Sequence, residues 1–394
     1  MTRQSIPSAP KSSPVPPSHT DVLIVGAGPT GLTLAAALRL RGVAVTVIDR
    51  QPQGSNTSRA AVVHARTLEV LETIGAAERL DELGIAAPRF TIRDRDRVLV
   101  DLRFDDLPTR YPYSLMVSQA VTERVLHDRL VALGGQVLRP RMLVGVTQDS
   151  GGVDALLDDG SRVRARYLVG ADGMHSTVRE QAQIPFTGGA YAESFVLADV
   201  RLEGGVVRDE VILYFSPAGM VVVAPLPGGY HRVVATLDEA PENPDVALVQ
   251  QLLDTRGPEG KRAVVKELVW SSRFHIHHRV ADHYRSGRLV LAGDAAHVHS
   301  PAGGQGMNAG ILDAMSLADA LARSLAGDDV ALDRYSEERR PIAAQIVRMA
   351  DVLTRLATTR PRLRWLRNVV LWCVAKLPAF RRRFALRLSG LVYR

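Results

Sequence analysis

The 394-residue chain is 46% hydrophobic and 23% charged, the balance of a globular protein long enough for more than one structural unit. Its single cysteine, Cys373, excludes an internal disulfide framework and any cysteine-rich metal or iron–sulfur centre, and fits a reducing compartment such as the cytoplasm. The net charge of +7 does not mark a nucleic-acid binder: Arg360–Arg394 holds ten Lys/Arg and no Asp/Glu, while the first 359 residues carry 39 basic against 42 acidic side chains.

Residues 1–20 lack the apolar core of a signal peptide and read as a disordered leader, and no apolar run elsewhere is long enough for a membrane span. DVLIVGAGPTGLTLAAALRLRGVAVTVIDR, from Asp21, then reads as strand, glycine turn, helix and strand, a βαβ unit. Helices are expected at Arg66–Ile74 and Val121–Leu133, followed by an antiparallel ribbon that returns to a strand at Tyr167–Gly170. From Phe195 to Ile276 the pattern changes to short alternating runs divided by Gly/Pro turns, an antiparallel sheet inserted between two halves of a nucleotide-binding unit. GRLVLAGD resumes the buried-strand pattern, and a long helix is expected at Met307–Ala326.

The expected fold is therefore α/β: a Rossmann-like unit over 21–194 and 279–345, an inserted mixed β-sheet over 195–278, and a basic helical segment over 346–394. That last segment interleaves arginine with Leu, Trp and Phe. It could touch an anionic membrane surface or an acidic partner; the plainer expectation packs Leu363, Trp365, Leu366 and Trp372 on the body with arginines in solvent.

Three motifs carry chemistry. Gly26, Gly28 and Gly31 form G-x-G-x-x-G between a strand and a helix, with Asp49 and Arg50 closing the second strand. The glycines permit a tight turn, close approach of a pyrophosphate and close helix–strand packing, and the helix N-terminus offers free amides to the phosphates. Asp49 suits ribose hydroxyls and disfavours a 2′-phosphate, so the dinucleotide should be FAD or NAD rather than NADP. The second motif, YLVGADGMHSTVRE at Tyr167–Glu180, reads from residues alone as a strand, an Asp-Gly turn and a helix capped by Ser176. The third, LAGDAAHVHSPAGGQGMNAG at Leu291–Gly310, places Asp294, His297, His299 and five glycines together. Its i, i+2 histidine pair lacks the helical i, i+4 spacing of a zinc motif, so no metal is expected.

Taken together with SRAAVVHARTLEVLETIG, SQAVTERVL and DRYSEERRPIA, these motifs resemble the group A FAD-dependent flavoprotein monooxygenases, the aromatic-ring hydroxylases of p-hydroxybenzoate hydroxylase-like fold, over roughly Asp21 to Ile342. The resemblance implies that Gly26, Gly28, Gly31, Asp49 and Arg50 hold the adenosine and pyrophosphate part of FAD, with Arg59 near the pyrophosphate and Gln119 beside the ribityl chain. Asp172 would serve both FAD and NAD(P)H, Asp294 the ribityl hydroxyls, and the backbone amides of Gly304, Gly306, Met307 and Asn308 the isoalloxazine ring, leaving His297 and His299 as bystanders. Pro301 would stand at the boundary of flavin and substrate.

The implied reaction consumes NAD(P)H and O2 and hydroxylates an aromatic or polyketide-like small molecule through a flavin hydroperoxide. The family place of YFSPAGMVVVAPL makes Tyr214, Met220 and Val222 candidate pocket residues, and His277 of FHIHHR a candidate acceptor for a phenolic proton. Asp49 stands where the family usually has Glu, Ser300 where a second proline is common, and the Trp-Lys pair often found after Asp313 is absent, which weakens any close substrate analogy. A thioredoxin-like extension is likewise not expected, and a monomer or homodimer fits equally. Two other readings stay open: an FAD reductase or desaturase of the same fold, and a flavoprotein that only binds a ligand.

Overall fold

The computed structural model describes residues 15–54 and 60–393, with backbone alone at 191–193, 275, 276 and 361. Strand His19–Val25 lies at the centre of the first sheet, paired in parallel with Val45–Ile48 and Arg162–Gly170; Val137–Leu138 and Leu289–Leu291 extend it on either side, also in parallel. Val22, Leu23 and Ile24 are fully buried, which is why this strand has no polar alternation. Helix Pro29–Leu40 begins with proline directly after Gly28 and buries a run of alanines, Ala35–Ala37, against which the long helix Gly306–Leu325 packs. The expected antiparallel ribbon is present as Leu143–Gln148, Val153–Leu157 and Arg162–Gly170.

The second sheet runs, edge to edge, His297–Val298, Val264–Ala281, Phe186–Glu203, Tyr230–Leu237, Gly219–Leu226, Glu210–Ser216, Arg89–Asp94 and Arg97–Arg103. It is mixed through one parallel pair, Glu210–Ser216 beside Arg89–Asp94. It is also larger than a 195–278 unit: its two longest strands start at Phe186 and end at Ala281, and a hairpin from the first part of the chain forms one edge. That hairpin was not expected, because FTIRDRDRVLVDLR alternates apolar residues with charges that look solvated. Here the charges pair across strands, Arg89 with Asp101 at 2.8 Å and Arg93 with the buried Glu210.

The two faces of this sheet separate by the period of two. Val196, Ala198, Val200, Ile212, Tyr214, Val221, Val223, Val233 and Ala235 form a core with Val249, Leu252 and Leu253 of helix Val246–Arg256. The intervening residues face the first sheet across a cavity.

The C-terminal segment departs from expectation in two ways. Helix Ala331–Ala357 runs unbroken through residue 346 despite Pro341, followed by helices Arg364–Val374 and Pro378–Leu388. The former then turns its polar residues inward. Arg367 is 6% exposed and donates to the carbonyls of Leu356 at 2.8 Å and Phe215 at 3.0 Å, while Asn368 donates to Asp94 and Phe215. Leu363, Trp365, Leu366 and Trp372 lie outward, Trp365 at 66% exposure. The physical reason is carbonyl satisfaction: the end of strand Glu210–Ser216 and the end of helix Ala331–Ala357 present acceptors that only polar side chains can meet. Among the described residues no helix is long and apolar enough to cross a membrane.

Candidate cofactor and substrate site

The glycine turn is built by close backbone contact. Gly26 has φ +105° and a Cβ there would lie 2.2 Å from the Ala171 carbonyl oxygen, so the turn is pressed against the end of strand Arg162–Gly170. A Cβ on Gly31 would lie 1.9 Å from the Gly26 carbonyl oxygen, which fixes the helix start over the turn. Gly28 differs: among the described residues a Cβ there would meet no atom within 4 Å, and the residue lines the cavity. This is the space a pyrophosphate needs at the amino end of helix Pro29–Leu40. Asp49 accepts the amides of Ala27 and Gln51, both at 2.7 Å, and lies 3.3 Å from Arg139 Nη1. Arg50 is exposed, and Arg59 lies outside the described residues.

The two later motifs converge on this turn. Arg179 donates to the carbonyl of Met174 at 2.9 Å and to that of Ala295 at 3.0 Å, binding the Asp-Gly loop to the Gly293–Ala295 turn. Ser176 caps helix Thr177–Gln181, as the residues alone suggested. Asp172 turns into its own loop and accepts the Val178 amide at 3.2 Å, with burial pushing its carboxyl above the ordinary range; its neighbours Ala171, Gly173 and Met174, rather than its side chain, line the cavity. Asp294 is exposed and does line it. The backbone of its turn is fixed by Asp313, whose carboxylate accepts the Gly293 amide at 3.2 Å, Arg339 Nε at 2.7 Å and His297 Nε2 at 2.6 Å, all buried. His297 is therefore a structural member of the site, which the pattern of histidines alone did not show.

The loop after His299 carries one correction to the expected donor set. Gly304 donates its amide to the Pro301 carbonyl at 2.9 Å, so it cannot also serve a ring at that amide. The remaining candidates are the first-turn amides of Gly306, Met307 and Asn308, which no intrahelical carbonyl can reach. Gly306 and Met307 line the cavity, and a Cβ on Gly306 would meet nothing within 4 Å. The Asn308 side chain acts elsewhere, stitching strand Val62–Val63 to the loop. Its oxygen accepts the His64 amide at 2.8 Å, and its nitrogen donates to the carbonyls of Val62 and Gly304. Gln119 likewise braces the segment beside it, accepting the Ala60 amide at 3.3 Å and donating to Glu123 at 2.8 Å, while lining the cavity.

The cavity measures about 590 Å³. One side is formed by Gly28, Thr30, Gly173, Asp294, Pro301 and Gly306, the other by Phe195, Leu213, Met220, Val222, Val234 and Phe274 of the second sheet. Met220, Val222 and His277 thus stand in the wall. Tyr214 does not: it lies on the opposite face against Val249 and Leu252, and Val211 and Leu213 take the cavity side of its strand. The strand phase was one residue out, and the alternation of two similar apolar faces gives no signal to set it. Sequence reading also missed the C-terminal helices as a wall, through Leu353, Ala357, Phe384 and Leu388.

His64 and His299 flank the loop. His64 Nε2 donates to the Gly303 carbonyl at 2.9 Å and His299 Nδ1 to that of Ser300 at 2.8 Å; burial lowers both to about 4. A histidine so depressed leaves stability intact above its unfolded value of about 6.5 and removes it as pH falls toward 4. Each should cost about 1.4 kcal/mol per pH unit in that window. Chemical denaturation between pH 7 and pH 4.5 checks this, and His64→Gln or His299→Gln should flatten the slope; an unchanged slope in both variants would count against it.

The sequence profile of the family described as FAD binding domain matches residues 19–350. The chain belongs to that family. It is 40% identical over 350 residues to 6-methylpretetramide 4-monooxygenase of Streptomyces rimosus, covering 86% of this chain and 62% of that protein. Among solved structures it is similar to the anhydrotetracycline hydroxylase of Streptomyces rimosus, at TM-score 0.77 and 34% identity over 95% of this chain and 76% of that one. A second is p-nitrophenol 4-monooxygenase of Pseudomonas putida, at TM-score 0.82 and 25% identity over 95% and 98%. The chain thus spans less than two thirds of the length of the pretetramide enzyme.

FAD is the cofactor of this family, and the residues present fit it. Gly28 and Gly306, two of the cavity-lining glycines at which a Cβ would meet open space, stand at the amino ends of two helices that begin at the cavity.

Proposed function

We propose that the protein is a monooxygenase that uses NAD(P)H and O2 to hydroxylate an apolar aromatic or polyketide-like molecule, with Gly26, Gly28, Gly31, Asp49, Asp294, Gly306 and Met307 holding FAD. One observation carries this reading: a single cavity joins the dinucleotide motifs to the apolar face of the second sheet. The names of the tetracycline-pathway relatives support a polycyclic substrate, and p-nitrophenol 4-monooxygenase a phenolic one. Held by these residues, FAD would supply the redox chemistry that couples NAD(P)H oxidation to O2 activation.

The chain's own contribution is orientation, exclusion of water and backbone electrostatics. Phe195, Leu213, Val222 and Phe274 give the substrate a dry wall, and the amides at the start of helix Gly306–Leu325 favour negative charge at the cavity end of that helix. His277 is the wall residue suited to accept a phenolic hydrogen bond.

A screen of aromatic and polyketide ligands for stimulated NAD(P)H oxidation, followed by product mass under heavy-isotope O2, tests the proposal. Product without the heavy atom assigns the protein to the reductase or desaturase class instead. Val222→Phe, which extends into the cavity, should reduce ligand-stimulated turnover by about tenfold or more. Tyr214→Phe should leave turnover unchanged, since its buried hydroxyl lies on the far side of the sheet and has no hydrogen-bond partner among the described residues.

A further inference from the structure

The first strand, the second strand and the edge strand Val137–Leu138 end together at the adenosine end of the glycine turn, and the residue that joins all three is Arg139. Its backbone is held on both sides: the Asp49 amide donates to the Leu138 carbonyl at 3.1 Å, and the Arg141 amide donates to the Asp49 carbonyl at 2.9 Å. From there the guanidinium crosses the ends of the strands. Nη1 donates to the carbonyls of Gln53 at 2.8 Å and Gln51 at 3.2 Å and lies 3.3 Å from the Asp49 carboxylate; Nη2 donates to the Ala27 carbonyl at 3.3 Å. The side chain is 16% exposed and that of Asp49 13%.

We propose that Arg139 is the positioning residue for the adenosine half of FAD. Asp49 has two backbone amides on its oxygens, and the Arg139 guanidinium charge 3.3 Å away holds the carboxylate in place electrostatically, with its remaining lone pairs available to ribose hydroxyls. The same guanidinium draws residues 51–53 onto the turn, so the adenosine site is ordered before the ligand arrives. Only a planar fork serves three carbonyls and a carboxylate at once; a lysine at this place could keep the charge and lose most of the bonds. Sequence reading passed over Arg139 because it stands ninety residues beyond Asp49, just after a short edge strand with no motif around it.

The inference rests on the FAD reading, and the experiment separates the two. The full chain, freed of flavin, is titrated with FAD, ADP and FMN, with circular dichroism confirming the fold of each variant. Failure of the unaltered chain to bind FAD would remove the FAD reading itself. With that binding established, Arg139→Ala should weaken FAD and ADP by about tenfold or more and leave FMN unchanged, and Arg139→Lys should recover only part of the loss. In a cycle with Asp49→Asn the two losses should be less than additive, because Arg139 acts through Asp49. Unchanged ADP affinity, an equal loss for FMN, or full additivity would overturn the proposal.

Discussion

Asp313→Ala is expected to lower the unfolding free energy by about 3–5 kcal/mol, the cost of leaving a buried ion pair without one partner. Asp313 is fully buried and Arg339 is 6% exposed, so neither has water to replace the other. Burial by itself opposes the Asp313 charge, yet Arg339 and His297 together hold its carboxyl below the ordinary carboxylate range. A depressed carboxylate contributes in full at neutral pH and loses that contribution as pH falls through the native value, so the variant's deficit should shrink in acid. Denaturant unfolding at pH 7 and at about pH 2.5, below the ordinary carboxylate value of about 3.9, measures both effects. Arg339→Met in the Asp313→Ala background should recover part of the loss, because it removes the uncompensated charge; equal stability of Asp313→Ala and the unaltered chain would refute the account. The variant should also lose FAD affinity, since the Gly293 amide that Asp313 accepts fixes the turn presenting Asp294.

How far the sequence exposes this site depends on what kind of constraint acts on each residue. The glycine turn and the 293–310 loop are legible because backbone crowding and helix starts allow few residue types: Gly26, Gly31 and Gly304 have protein atoms 1.9–2.2 Å from where a Cβ would sit. Ser176 is legible for a similar local reason. Residues whose role depends on distant partners are not. Asp172 bonds inside its own loop, Asn308 reaches Val62 and the His64 amide, and His297 finds Asp313 sixteen residues on, none of which periodicity reveals. Arg367 and the hairpin Arg89–Arg103 mislead in a common way: a charge reads as solvated unless its partner is known, and here the partners are carbonyls and carboxylates on other strands. Tyr214 shows the remaining limit, since both faces of its strand are apolar and buried.

Gly28 offers the cleanest separation of folding from cofactor binding. Most glycines in the site cannot be replaced without moving the backbone, as at Gly26, where φ is +105° and the Ala171 carbonyl blocks a Cβ. Substitution there loses the fold and the cofactor together and identifies neither role. At Gly28 the backbone is extended, φ −77° and ψ −175°, which any residue adopts, and among the described residues no atom lies within 4 Å of a Cβ. Gly28→Val should therefore leave the flavin-free chain folded, at a cost of about 1 kcal/mol or less for an apolar residue at the helix N-cap, since β-branched residues tolerate extended backbone. The same side chain fills the approach to the amides of helix Pro29–Leu40, where the pyrophosphate needs backbone contact. FAD affinity should fall by about a hundredfold or more, the equivalent of two strong charge-assisted hydrogen bonds. Paired thermal unfolding and flavin titration read the two quantities independently. Retained FAD affinity in a folded Gly28→Val chain would move the pyrophosphate away from this turn, and an unfolded variant would mean that the open space beside Gly28 is needed by the protein itself.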